Sequence, residues 1–411
     1  MKRKRINFVM GVICFMVILL WSSLDKTDRK TTTTIKNEPI PSAVVNHRPH
    51  FNKNYPLRTI TRKHHTLQSI HFEQLPGWNE AQIEKSLLAF QGSCKAFLKQ
   101  KPNHPVGSQL IHLKAGDWQP ACREALSVDS SYEANARTFF ETWFYPIELS
   151  KNNPEKGVFT GYYMPELKGN LTKTTRYNTP IYGLPEQSYQ KETLLHYTRA
   201  EIDKGALNKK APVIAWIESP IERLFLEIEG AGVIQLPTGK KLYLGYAGEN
   251  GAPYSSISHL LIKKGVMTKD NASKTAIKRY LESQPQSANR IIQQNKSFVF
   301  FQKVPDWVAL GAHGKTLTPG YSLAIDKKWI PLGAPLWLKT SIPNEKMKHE
   351  QPFQRLMIAQ DTGGAIKGLV RGDIFWGSGK KAAFLGENMK HKGRYWLLLP
   401  KHAFERLAMK S

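Results

Sequence analysis

Three aspartates in the C-terminal quarter of the chain carry its clearest prospect of chemistry: Asp326 closes the run YSLAID, Asp361 closes RLMIAQD, and Asp373 opens DIFWG. Asp361 and Asp373 stand at predicted strand ends, where neighbouring glycines let the backbone turn and a carboxylate face a groove. Asp beside Gly is also the ordinary make-up of a turn whose carboxylate bonds its own backbone, so each of the three keeps a purely structural reading. The strand around Asp373 sets it apart. Alternation along Asp373, Ile374, Phe375 and Trp376 sends Ile374 and Trp376 to the core and leaves Asp373 and Phe375 on the exposed face.

Other chemistries lack their residues. The 13 histidines form no HExxH motif and do not pair with the cysteines, so no metal site is expected. The stretch from Gly377 to Lys381 lacks the glycine spacing and the following Ser or Thr of a phosphate-binding loop. There is no Gly-x-Ser-x-Gly elbow, and neither Cys94 nor Cys122 has the helix terminus or basic cluster that makes a thiolate. No cofactor is expected, and acid–base work by carboxylates remains.

The elements that must position those carboxylates change character along the chain. Residues 25–70 are polar, lack periodicity and read as a flexible tether. Ile83, Leu87, Phe90, Cys94 and Phe97 then mark one helical face, and Ala136, Phe139, Phe140 and Trp143 another. From Gly157 onward short apolar runs alternate with Gly and Pro, the pattern of a β-barrel or sandwich. Helical spacing returns between Ser255 and Asn295, through Ile257, Leu260, Leu261, Ile277, Tyr280 and Leu281. Helices that interrupt the strands, rather than following each one, argue against a parallel α/β sheet and for a mainly β chain with peripheral helices.

The 411 residues carry a formal net charge of +26. Basicity on this scale suits an anionic polymer: nucleic acid, a lipid surface, or a cell-wall glycan whose stem peptides bear carboxylates. The N-terminus narrows the choice. Basic residues at Lys2, Arg3, Lys4 and Arg5 precede an apolar run from Ile6 to about Trp21, so residues 1–24 read as a signal anchor or a cleaved signal peptide. Either keeps the basic end in the cytoplasm and exports the rest, which speaks against a nucleic-acid partner. Cys14 lies inside the apolar run without a small residue immediately before it, so lipidation there is not expected. In an oxidising compartment Cys94 and Cys122 are either a disulfide or two buried thiols.

An exported basic protein with many Tyr and Trp residues, and acids without a metal, fits glycan cleavage, where a general acid protonates the leaving oxygen. A hydrolase needs a second carboxylate across the bond, for which Asp326 and Asp361 are the nearest candidates in sequence. A lytic transglycosylase needs one acid only, because the 6-hydroxyl of N-acetylmuramic acid attacks its own anomeric carbon. A wall-binding module without turnover is the third possibility.

Six segments in order then carry a resemblance: GVFTGYYMPEL from Gly157, PIY from Pro180, RAEIDKG from Arg199, YAGENG from Tyr246, LTPGYSLAID from Leu317 and AQDTGGAIKG from Ala359. Together they resemble the membrane-bound lytic murein transglycosylase A family over the stretch from about Leu75 to Pro400. The resemblance implies a double-psi β-barrel domain built from residues 71–162 and 302–405, an inserted β-rich domain at 163–301, and a glycan groove between them. It implies Asp373 as catalytic acid and base, with Asp361 and Asp326 in support. Thr160, Tyr162, Tyr163, Tyr246, Asn250, Lys367 and Phe375 are the expected glycan contacts. The implied partners are peptidoglycan strands and other proteins of wall synthesis or hydrolysis.

A neutral-pH acid must hold its proton above the ordinary carboxyl range. Phe375 and the neighbouring carboxylates favour that, while Arg371 and Lys367 oppose it and are expected to point away. Ala252 and Ser255 stand where the family pattern has His and Arg, and Glu229 stands where it has Gln. The family's lipoprotein cysteine is missing. The expected location is therefore the periplasm, tethered to the inner membrane by the N-terminal segment or free after cleavage.

Overall fold

The structure is a computed structural model, and it describes residues 54–62, 64–150, 156–185, 197–269, 271–305, 308–312, 314–346 and 349–409. The N-terminal apolar run, Cys14 and the tether up to residue 53 lie outside the described residues. The strands run β1 (Thr59–Arg62), β2 (His65–Ser69), β3 (Phe144–Ser150), β4 (Gly157–Met164), β5 (Glu166–Asn170), β6 (Thr179–Tyr182), β7 (Val213–Ile217) and β8 (Ala231–Gln235). They continue as β9 (Lys241–Glu249), β10 (Val299–Lys303), β11 (Ser322–Ile325), β12 (Pro335–Ile342), β13 (Gln351–Thr362), β14 (Arg371–Ser378) and β15 (Lys390–Pro400).

Six of them close on themselves. In the order β15, β12, β13, β11, β14, β4 each pairs with the next, and β4 returns to β15. The pairs β11 with β13 and β14 with β4 are parallel, whereas the others are antiparallel. Closure needs backbones in near contact. Gly157 and Gly393 are register partners at the seam; a Cβ on Gly157 would fall 1.6 Å from the Val370 carbonyl, and one on Gly393 2.7 Å from that of Lys339. Leu323, Leu336, Leu356, Ile358, Ile374 and Leu397 are fully buried in the barrel's core. The strands β3, β2 and β1 extend the sheet outward from β15.

The second sheet, ordered β10, β9, β8, β5, β7, β6, takes its strands from residues 166–303. The mainly β architecture, a barrel with a second β-rich part and peripheral helices, is thus the one expected. Three helices, Ile257–Lys263, Lys274–Glu282 and Pro285–Ile292, pack on this second lobe through Ile257, Leu261, Ile277 and Leu281. An ionic knot lies inside it. Arg199 pairs with Glu227 and donates to the carbonyls of Asn295 and Ser297, while Arg223 pairs with Asp203, and both guanidinium groups lie over the Phe298 ring.

On the barrel side the helices Glu84–Phe97 and Ala115–Ser127 are joined by a Cys94–Cys122 disulfide. The pair therefore forms the bond, not two buried thiols. The helix Glu133–Trp143 buries Ala136, Phe139, Phe140 and Trp143, the face its spacing predicts.

Two expectations are corrected. The tether does not extend to residue 70, because β1 and β2 form a hairpin that buries Ile60 and Leu67 and pairs with β3. The two strands are too short to show a period, and the free edge of β3 is what recruits them. Phe375 is not exposed either. Alternation places it on the Asp373 side of β14, but that side is covered where the lobes meet, so Phe375 packs with Tyr162, Met164, Val233 and Tyr243. Trp376, on the other side, is only partly buried and meets Phe353 edge-on.

Candidate active site

The β-ladder brings the aspartates to one end of the barrel. On β11, Ala324 is the register partner of Asp361 on β13 and of Asp373 on β14. The two acids thus flank one strand, their backbones about two strand spacings apart, roughly 10 Å. On its other edge β14 runs parallel to β4, with Asp373 opposite Thr160.

The three carboxyls have different surroundings. Asp326 is buried, with one oxygen accepting from the Lys328 amide at 3.1 Å and the other from the Gly368 amide at 2.9 Å, so it pins the loop that carries Lys367. Both Asp361 oxygens are engaged as well. Oδ1 accepts from the amides of Ala312 (3.1 Å) and Thr362 (2.9 Å), and Oδ2 from the Tyr162 hydroxyl at 2.7 Å. Burial pushes the Asp361 carboxyl up to about 6 against those three bonds, and the Asp373 charge adds to the rise. The same burial, with the Asp361 carboxylate beside it, drives the Tyr162 hydroxyl well above its ordinary range, so it stays protonated and donates.

Asp373 accepts one side-chain bond, from the Thr160 hydroxyl to Oδ1 at 2.7 Å, and no bond to its Oδ2 is found among the described residues. Arg371 donates to that same Thr160 hydroxyl at 2.9 Å. Arg371 therefore does not point away, because Thr160 stands opposite on β4 and gives the guanidinium an acceptor beside the acid. Burial raises the proton affinity of Asp373; the charges of Arg371 and Lys274 and the Thr160 bond oppose the rise without cancelling it.

A cavity of about 350 Å³ opens over Asp373, lined by Thr160, Tyr162, Glu229, Lys274 and Lys390 among others. Tyr163 does not line this cavity; it lines a neighbouring one, with its hydroxyl donating to Glu387 at 2.7 Å and its amide to Glu229 at 3.0 Å. The remaining sequence candidates stand apart. Lys367 is exposed on its loop, and Tyr246 is 44% exposed on β9; neither lines this cavity. Asn250 is buried as a clasp: its amide nitrogen donates to the carbonyls of Tyr197 and Lys296, and its oxygen accepts from Phe298 and Ala252. Those four bonds exhaust the side chain.

Lys274, Glu387 and Lys390 were missed in the sequence. Lys274 reaches the cavity through the return of the second lobe onto the barrel, and Glu387 and Lys390 reach it from the helix Lys380–Asn388 and from β15, long-range events that leave no local pattern. Glu229 was visible only as a departure from the family pattern, and its partner is Lys274. Among the described residues no cluster of His, Cys, Asp or Glu could hold a metal ion.

Barrel, second sheet and the Asp373 carboxyl in the recess between them define a class: two-lobed barrel proteins with an aspartate facing a cavity. Residues 158–302 match the family described as MltA specific insert domain, and residues 321–399 match the 3D domain. The membrane-bound lytic murein transglycosylase A of Escherichia coli is 34% identical over 243 residues, 58% of this chain and 65% of that protein, so the chain spans just under two thirds of this curated relative's length. The crystal structure of MltA from Neisseria gonorrhoeae, monoclinic form, superposes with a TM-score of 0.69 at 30% identity, covering 84% of this chain and 96% of that one. The structure of E. coli MltA with bound chitohexaose gives a TM-score of 0.57 at 26% identity, covering 84% and 95%. The chain belongs to the membrane-bound lytic murein transglycosylase A family.

Proposed function

We propose that this protein is a peptidoglycan lytic transglycosylase, cleaving the β-1,4 bond between N-acetylmuramic acid and N-acetylglucosamine and leaving 1,6-anhydromuramoyl ends. The observation that carries the reading is the inequality of the three aspartates: Asp326 and Asp361 are fully bonded within the fold, and Asp373 alone presents a free carboxyl oxygen to the cavity. Protonated Asp373 gives its proton to the glycosidic oxygen as the bond from the anomeric carbon breaks. The 6-hydroxyl of the same muramic residue then attacks that carbon, and the Asp373 carboxylate takes the hydroxyl proton, which restores the acid. Thr160 holds the carboxyl in place, and Tyr162 lines the same cavity. The E. coli relative with bound chitohexaose supports a glycan chain as the ligand.

A two-carboxylate hydrolase would need Asp361 as nucleophile or base, but its oxygens are committed to Tyr162 and two backbone amides. Mass spectrometry of digested sacculi separates the two: anhydro products are expected, and products heavier by one water, with reducing ends, would sink the proposal. Asp373→Asn should abolish release while sacculi still pull the protein down. Full release by that variant removes Asp373 from its role, and binding without turnover in the wild type would leave a wall-binding module.

The relatives' printed names place them at a membrane and support a location in the cell envelope for this chain. No described helix is long and apolar enough to cross a membrane. Attachment to the inner membrane through residues 1–24 is part of the proposal. Fractionation tests it: the protein should leave the membrane with detergent and not with high salt.

A further inference from the structure

Lys274 opens the helix Lys274–Glu282, on the lobe opposite the strand that carries Asp373. Its ammonium group is ion-paired with Glu229 and sits 5.1 Å from the centre of the Tyr163 ring. The same junction is closed by the Tyr163 hydroxyl on one Glu387 oxygen and the Thr275 hydroxyl on the other, at 2.7 and 3.3 Å. Lys274, Glu229 and Glu387 line the Asp373 cavity and also a second one, of about 250 Å³, which Glu222, Phe225 and Lys278 help to form. The lysine is thus a fixed part of the wall between two cavities, with one face toward the acid.

We propose that Lys274, held by Glu229, is a positioning residue for proton transfer, its charge setting the pH range over which Asp373 keeps its proton. The proposal rests on the reading of Asp373 as the acid. The groups facing Asp373 are Arg371 on its own strand, Thr160 and Tyr162 on β4, Asp361 on β13, Glu229 and Lys274 from the second lobe, Glu387 from the helix Lys380–Asn388 and Lys390 from β15. Facing Lys274 are Glu229, Tyr163, Glu387 and Asp373, with Glu222 and Lys278 across the second cavity. Burial lowers the Lys274 ammonium to about 8, while Asp373 and Glu387 pull it back up. Its charge is therefore present below about pH 8.

The direction follows from the signs. Removing the cation leaves the burial of Asp373 opposed by Arg371 and Thr160, so the proton is held to higher pH. Removing the Glu229 anion frees the lysine's charge to act more strongly, so the proton is released at lower pH.

The test is a titration of the Asp373 carboxyl carbon by NMR, in the full chain labelled at aspartate Cγ. Its resonance is assigned by its loss in Asp373→Asn. Lys274→Met is expected to move the midpoint up by about 0.5 to 1 pH unit, Glu229→Gln to move it down, and Lys274→Arg to keep it. The alkaline limb of the rate of anhydromuropeptide release should move with the midpoint, because a general acid fails once it is deprotonated. A merely structural lysine would change rate or melting temperature without moving either. An unmoved midpoint in Lys274→Met overturns the inference and leaves Asp373 as the acid. A midpoint that moves while Asp373→Asn keeps full activity overturns the reading of Asp373 beneath it. Should Lys274→Met not fold, Glu229→Gln carries the test, and an unmoved or raised midpoint there is equally fatal.

Discussion

At the scale of single residues, the distinction among the aspartates lies in who already holds their oxygens. General acid–base catalysis contributes about 10² to 10⁴-fold, so Asp373→Asn should lower the rate of anhydro-product release by at least that lower factor, read in a sacculus digestion assay. Asp361 makes a different prediction. Its folded-state proton affinity is raised to about 6, so the stability contributed by its protonated form is full below the ordinary carboxyl range near ~4 and is lost as pH rises through about 6. Asn can keep the bonds, with its oxygen toward the Ala312 and Thr362 amides and its nitrogen toward the Tyr162 oxygen. Asp361→Asn should therefore gain in melting temperature relative to wild type between pH 4 and 6 and hold that gain above. Parallel melting curves of the two proteins across that range would contradict the burial argument.

At the scale of elements, two cross-links invite measurement. The disulfide between the helices Glu84–Phe97 and Ala115–Ser127 spans a separation of 28 residues. From chain entropy a loop of that size is worth roughly 3 to 4 kcal/mol, and the double variant Cys94→Ala with Cys122→Ala should lose that much in urea denaturation. In the second lobe, Glu227→Ala leaves Arg199 buried beside Arg223 without its counter-charge. Removing one partner of a buried pair costs about 3 to 5 kcal/mol, to be read in the same denaturation experiment.

The helices that bear on these links were legible, because the spacings of Leu87, Phe90, Cys94 and Phe97, and of Phe139, Phe140 and Trp143, each mark one face. Strand order was not. Nothing local tells Asp373 that Thr160, 213 residues earlier, will be its neighbour, so the bond to Thr160 and the position of Arg371 escaped the sequence. Phe375 shows the same limit: period two gave its side of the strand correctly, but whether that side meets water depends on a lobe built from other residues.

At the scale of the whole molecule, charge and chain order matter most. Beyond residue 70 the chain carries 46 basic and 30 acidic side chains, a balance of +16. Binding to sacculi should weaken steadily as NaCl is raised from about 50 to 500 mM in a pelleting assay, as the Debye length falls below ~10 Å; salt-independent binding would assign recognition to stacking and hydrogen bonds. Much of this scale was readable from composition, whereas the closed ring of strands was reached only through resemblance.

The parallel pairing of β4 with β14 has a consequence for the order in which the chain is made. Synthesis runs from the N-terminus, and the residues of the second sheet, 166–303, all precede Asp373. A growing chain short of residue 373 can hold Thr160, Tyr162 and the whole second sheet, yet it has no acid opposite Thr160 and no strand β15 with which to close the ring. On the proposed function such a chain cannot cut, and the site is completed only by roughly the last tenth of the polypeptide.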